Sequence, residues 1–233
     1  MSSAPLFSDR IDAGEQLAQC LLKLITPLTE SGIYAPPIVY ALPRGGIPVG
    51  AIVARQLDCP LDIVVAKKIT TPQNPELAIG AVTSEGHVLW SRQSLPWARE
   101  HNMREAALRY AQDKAQAQLN QFSVGRPQVN PQGALALLID DGIATGMTIS
   151  AAAQALKEHH TAQLWICAPV APVGMTHWLS QWCDRVVILK TPDPFFSVSR
   201  FYANFPQVSS EEALICLKQH NHVADYNEIG GQN

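Results

Sequence analysis

Ala134-Leu135-Ala136-Leu137-Leu138-Ile139 runs directly into Asp140-Asp141-Gly142-Ile143-Ala144-Thr145-Gly146-Met147-Thr148. An apolar run without alternation reads as a strand buried on both faces. It delivers two adjacent carboxylates at its C-terminal end. A short loop with two glycines and two threonines then opens a helix predicted over Gly146 to His159. Backbone N–H groups at a helix N-terminus have no intrahelical partner, and the helix dipole adds partial positive charge, so such a loop suits an anion. Gly142 and Gly146 let the main chain approach a ligand closely. Thr145 and Thr148 add hydroxyl donors. Met147 stands where a Walker A loop needs lysine, and the G-x-G-x-x-G dinucleotide pattern is absent. What remains is a loop suited to one monophosphate. The acidic pair beside it could accept hydrogen bonds from neighbouring hydroxyls, such as a ribose diol. Any one of these residues alone would read as a solvated strand end or a plain turn; the whole pattern points to function.

Working outward, strands are predicted at Ile38–Leu42, Leu61–Ala66, Leu164–Pro169 and Arg185–Leu189. Weaker candidates are Ala78–Val82 and His87–Trp90, with Glu85-Gly86 as a turn. Helices are predicted at Asp9–Leu28, from Gly46 to Leu57, at Trp97–Phe122, Pro172–Cys183 and Ser209–Lys218, with frayed residues after the last. Strands alternating with helices define an α/β fold, a doubly wound parallel sheet. The prediction is one domain over 1–233, its core about 34–190, with a small cap or hood made by the chain ends.

Composition excludes several classes. Of 233 residues, 47% are hydrophobic and 16% charged, and the net charge is −3, so a basic nucleic-acid-binding face is not expected. Five cysteines without a C-x-x-C pair argue against a disulfide framework or zinc ribbon and for free thiols in a reducing cytoplasm. The first ten residues lack a signal-peptide pattern, and no apolar run approaches the length of a membrane span.

The Asp140–Thr148 segment resembles the signature of the type I phosphoribosyltransferases. From about residue 7 to 217 the chain is similar to their predicted-phosphoribosyltransferase subfamily. The shared stretches are Phe7-Ser8-Asp9-Arg10 with Asp12-Ala13-Gly14, Leu42-Pro43-Arg44-Gly45-Gly46, Asn74-Pro75-Glu76-Leu77-Ala78-Ile79-Gly80-Ala81, and Phe201-Tyr202-x-x-Phe205. The resemblance implies that Asp140 and Asp141 grip the ribose diol of phosphoribosyl pyrophosphate. Gly142, Ile143, Ala144, Thr145, Gly146, Met147 and Thr148 would complete the phosphoribosyl site. It implies pyrophosphate binding by Arg44, Gly45, Gly46, Lys67 and Lys68, with Lys68 preferred and with an unusual peptide in the first loop. Asp140, Asp141, Lys68 and Arg44 would then be the catalytic residues. Phe195 and Phe196 would wall a base pocket. Mg²⁺ is the implied cofactor, held mainly by the ligand, and a nucleobase-like acceptor and a homodimer are the implied partners. Where 6-oxopurine enzymes carry an acid in the loop, this chain has Ala144, which speaks against hypoxanthine or guanine transfer by that route.

Independently of the resemblance, Pro43-Arg44-Gly45-Gly46 follows a strand and opens a helix, so it reads as a second anion site. Thr70 to Glu76 is expected to be an exposed loop closing over the reaction. Arg99, Arg104 and Arg109 do not share one helix face, so a solvated helix is expected. His220 and His222 read as a polar tail. The leading expectation is a Mg²⁺-dependent phosphoribosyltransferase. The alternatives are a non-catalytic phosphoribosyl pyrophosphate or nucleotide sensor, and a hydrolase or phosphorylase-like activity in the same crevice. Valines at 145 and 146 together are expected to weaken ligand binding while the fold survives.

Overall fold

A computed structural model describes residues 5–30, 35–71, 74–91 and 101–230, with backbone only at 29–30, 74–76, 101 and 222–230. Strand β6, Leu135–Ile139, lies at the middle of a five-stranded sheet and is buried at every position. Its period of two explains why it must be apolar throughout. Leu135, Leu137 and Ile139 enter one core, while Ala134, Ala136 and Leu138 enter the other. β1 (Pro37–Ala41), β2 (Leu61–Ile63), β7 (Gln163–Val170) and β8 (Arg185–Lys190) complete the sheet in the order β2-β1-β6-β7-β8, all parallel. The chain moves outward from β1 to β2 and then returns to β6 on the other side. The order therefore reverses between β1 and β6, which is where open α/β sheets place ligands.

Helices cover both faces. α1 (Arg10–Glu30) starts where Asp9 Oδ1 accepts from the backbone N–H groups of Ile11 and Asp12 at 2.8 and 3.0 Å. Its Leu17, Ala18 and Leu21 join α2 (Gly46–Leu57) in the first core. α4 (Met147–Glu158) and the short α5 (Met175–Leu179) cover the opposite face. Pro172–Cys183 is therefore not helical throughout. Trp182 N–H bonds the Leu179 carbonyl and the Asp184 carboxylate accepts from Leu164 N–H at 2.7 Å, which turns the chain back early. α6 (Ser210–Gly230) is longer than predicted and opens with a reciprocal Ser209–Glu212 capping box. It clips the β2 edge: Asn221 Nδ2 donates to the carbonyls of Leu61 and Gly125, both at 2.9 Å, and His220 Nε2 donates to Cys59 O at 2.9 Å. His220 is thus a structural contact and not part of a solvated tail; the His222 side chain lies outside the described residues.

The predicted strand Leu61–Ala66 is in fact divided. The chain leaves the parallel sheet after Ile63 and starts β3 (Ala66–Thr71) in a separate antiparallel sheet with β4 (Asn74–Thr83) and β5 (Val88–Trp90). An unbroken apolar run does not show that its two halves pair with different partners. The long helix α3 (His101–Phe122) packs on this second sheet through Ala107 and Ala111, against Ile69, Ile79 and Val82. Alanines at 107, 111 and 115 form a buried stripe, so the helix is half-core and not merely solvated. Arg104 stacks on Trp90 at 3.7 Å, Arg109 makes only an exposed pair with Glu105, and Arg99 lies outside the described residues.

The chain ends meet as the cap expects. Phe7 and Tyr202 form a parallel bridge, the Ala203 and Asn204 N–H groups donate to the carbonyls of Phe7 and Ser8, and Phe7, Phe201 and Tyr202 are buried together. All five cysteines are free, and burial pushes the Cys59 thiol up to about 12. No helix among the described residues is long and apolar enough to cross a membrane.

Candidate functional site

The loops leaving β1 and β6 touch at the switch point, and glycine makes the contact feasible. A Cβ on Gly45 would overlap the Asp141 carboxylate. On Gly46 it would sit 2.8 Å from the Ile139 carbonyl oxygen and 3.1 Å from the Asp140 Cα. Leu42 N–H bonds Ile139 O at 2.9 Å, holding the two strand ends in register. The Pro43–Arg44 peptide is cis, at the loop where the resemblance places an unusual peptide. Arg44 is half-buried, and its Nη1 donates to Ser210 Oγ at 3.3 Å.

The two acids differ in their surroundings. Asp141 is held by Arg10, the first residue of α1: Nε and Nη2 donate to its Oδ2 at 2.9 and 2.8 Å. Arg10 Nη1 donates to Pro206 O at 2.7 Å and the guanidinium lies 3.7 Å from the Phe205 ring centroid. The Tyr202 hydroxyl donates to the Asp141 backbone oxygen at 2.6 Å. Asp140 forms no ion pair among the described residues; its Oδ1 accepts from Asp141 N–H at 2.9 Å. Burial pushes the Asp140 carboxyl well above the ordinary carboxylate range, and the Asp141 charge pushes it further. Burial raises Asp141 too, and the Arg10 guanidinium opposes that.

The 142–148 turn borders the same crevice. Ile143 is buried and donates to Val170 O at 2.9 Å, while Ala144 and Thr145 are exposed. Gly142 lies against Val198, so the 195–198 segment borders the acid loop. Gly146 has φ 72° and caps α4, with Met147 and Thr148 in the first turn. A side chain at 146 would be strained by that φ and would run into the Trp178 ring. The double-valine substitution at 145 and 146 is therefore not a clean test of ligand binding, because the loop itself would have to move.

Lys67 and Lys68 alternate along β3, and Lys67 stands in the field of Arg44. Burial lowers its proton affinity first, and repulsion from Arg44 and then Lys114 adds to this. Lys68 is exposed and faces a cleft toward α5. Phe195 packs on Phe201 with centroids 5.0 Å apart, within the cap. Phe196 is 70% exposed, with Arg200 over its ring. Thr70–Glu76 is not the exposed loop expected: Thr70 and a buried Thr71 end β3 and Asn74 to Glu76 begin β4, while residues 72–73 and the Glu76 side chain lie outside the described residues. Reading the sequence did not single out Arg10 or Tyr202 as site residues. Their only signal was membership of Phe7-Ser8-Asp9-Arg10 and Phe201-Tyr202-x-x-Phe205, stretches without a chemical motif of their own.

A five-stranded parallel sheet covered by helices on both faces, with two glycine loops and an acidic pair at its switch point, defines a doubly wound α/β protein. The chain belongs to the phosphoribosyl transferase domain family, whose pattern matches residues 8–198. It is 36% identical over 229 residues to the Mycobacterium tuberculosis H37Rv protein named "Putative phosphoribosyl transferase Rv0571c", covering 97% of this chain and 49% of that protein. The CDC 1551 counterpart, MT0597, gives the same figures. The chain thus spans about half the length of the curated relatives it matches. The crystal structure of TT1426 from Thermus thermophilus is similar over 91% of this chain and 98% of that one, at 31% identity and a TM-score of 0.74.

Proposed function

We propose that this chain transfers a phosphoribosyl group from phosphoribosyl pyrophosphate to a planar nitrogenous acceptor. One observation carries the reading. The Arg44-Gly45-Gly46 loop is packed directly on Asp140-Asp141, so sites for the two phosphate ends of one ligand flank a pair of carboxylates. The 5′-phosphate lies on the Ala144–Thr148 turn, met by the N-terminal N–H groups of α4 and the threonine hydroxyls. The ribose diol donates to Asp140, and the pyrophosphate lies against Arg44 and Lys67, with Lys68 at the rim. The bond from C1 to the pyrophosphate oxygen breaks with its electron pair leaving on pyrophosphate. The acceptor nitrogen then bonds to C1 and loses its proton. Carboxylates near the ring favour the positive sugar, and the cations favour the leaving group.

Asp140, an oxygen donor without a cationic partner, fits Mg²⁺ better than the Arg10-bound Asp141 does. No group of three or more metal-ligating side chains occurs among the described residues, so the ion would rest mainly on ligand oxygens and water. When bound, Mg²⁺ would supply charge neutralisation of pyrophosphate. Free buried thiols support a reducing, cytoplasmic setting.

The test is a screen of nucleobases with phosphoribosyl pyrophosphate and Mg²⁺, following pyrophosphate release. Release with one base, cut about 10- to 100-fold by Asp140→Asn, is the expected result. Failure of calorimetry to detect ribose 5-phosphate binding would overturn the reading. The exposed Ala144, which offers no acid for the acceptor proton, favours a second reading, a ligand-binding sensor. Tight binding of phosphoribosyl pyrophosphate without turnover for any base would select it.

Phe196 is the better candidate for stacking the acceptor, because the Phe195 ring is already engaged in the cap. Phe196→Ala is expected to weaken acceptor affinity by about 1–3 kcal/mol, without changing ribose 5-phosphate binding. Phe195→Ala should lower the melting temperature instead. Calorimetry with each ligand and a thermal melt separate the two.

A further inference from the structure

The cleft between the second sheet and α5 shares Lys68, Thr145 and Met147 with the site just described, but its tryptophan walls have no role in the transfer. It holds about 870 Å³, within the range of small-molecule sites. Trp90, Trp178, Trp182, Met147 and Met175 line it, and Lys68 is its one charged wall among the described residues. Indole faces suit planar rings, and methionines adapt to their edges. Arg104, stacked on Trp90 at 3.7 Å, places a second cation nearby. The Trp182 Nε1 donor is buried and has no acceptor.

We propose that this cleft is a second ligand site, taking a planar aromatic molecule that carries an anionic group. Flat apolar walls select the ring, and the Lys68 ammonium selects the anion. The site lies beside the phosphate loop and not within it. Thr145 and Met147 form part of its wall, and the Trp178 ring sits against Gly146. An occupant stacked on Trp178 therefore touches the turn that holds phosphate, so the two sites are linked through one loop. The proposal stands on the cleft's own geometry and does not require the transfer reaction.

Calorimetry with 1-naphthoate tests it. A dissociation constant below about 1 mM is expected for the wild-type chain. Naphthalene-1-carboxamide, which has the ring without the charge, should bind about tenfold more weakly. Val173 is on the rim and 63% exposed, so Val173→Trp can fill the opening without disturbing the core. That variant should lose naphthoate binding with an unchanged melting temperature. Saturating inorganic phosphate should leave naphthoate bound. Absence of binding to the wild type, wild-type affinity in Val173→Trp, or displacement by phosphate would each overturn the proposal. A dimer that Val173→Trp dissociates, with no naphthoate binding, would assign the cleft to a second copy and overturn it as well. Ribose 5-phosphate binding is measured separately, so failure here is distinguishable from failure of the transfer reading.

Discussion

Arg10→Met is expected to destabilise the protein by about 3–5 kcal/mol at neutral pH, because it strands a buried carboxylate. Arg10 is 8% exposed and the Asp141 side chain 13% exposed, so neither charge is well solvated when separated from the other. The groups facing Asp141 are Arg10, Asp140 and the Tyr202 hydroxyl, and Arg10 is the cation among them. Without it, burial raises the folded-state affinity of Asp141 for a proton with no cation to oppose it. An acid whose folded pKa lies above its unfolded value costs stability above the unfolded value and costs nothing below it. The difference between wild type and variant should therefore be largest near pH 7.5 and shrink toward the ordinary carboxylate range. Urea unfolding at several pH values checks this. The double variant Arg10→Met with Asp141→Asn removes both charges and should recover much of the loss, since replacing a buried pair is milder than breaking it. A pH-independent loss, or no recovery in the double variant, would mean that Arg10 acts only through its packing on Phe205.

The same ion pair shows where the reading of the sequence stops. The strand-loop-helix around Asp140 was legible because each of its signals is local: an apolar run, two acids, glycines and threonines within one turn. The sheet itself places β1 beside β6, which sets the switch point between them. Arg10 and Asp141 are 131 residues apart, and no spacing rule links them. Their pairing arises because the chain ends fold together over β7, with Phe7 and Tyr202 packed beside Val170. The division of Leu61–Ala66 between two sheets was hidden for a similar reason. Burial is visible in composition, but the identity of the burying partner is not. The alanine stripe of α3 escaped notice because alanine is weakly hydrophobic, and its fit depends on the close approach of the second sheet. Lys67 and Lys68 are adjacent in sequence, yet strand alternation sends one toward Arg44 and the other toward the tryptophan cleft.

Gly46→Ala should damage the site more than any single side-chain deletion in the two loops, because it separates backbones. The added methyl would stand 2.8 Å from the Ile139 carbonyl oxygen and 3.1 Å from the Asp140 Cα. Both belong to the end of β6, which is buried and paired with β1 on one side and β7 on the other. Neither can yield as the tip of a flexible side chain could. Gly46 is no freer, since its N–H bonds the Leu42 carbonyl at 3.0 Å and it begins α2. The strain must open the crevice between the Arg44 loop and the acid pair. Overpacking of this kind costs about 1–3 kcal/mol in stability. Under the proposed transfer the larger effect falls on ligand geometry: a shift of about 1 Å between the Arg44 loop and the acid pair is expected to lower turnover about 100-fold. Inorganic pyrophosphate and ribose 5-phosphate should each still bind, since each touches one loop. Phosphoribosyl pyrophosphate, which must span both, should lose most of its advantage over either fragment. Calorimetry with the three ligands reads that difference directly. An equal loss for all three would mean that the substitution unfolds the region and does not part the loops.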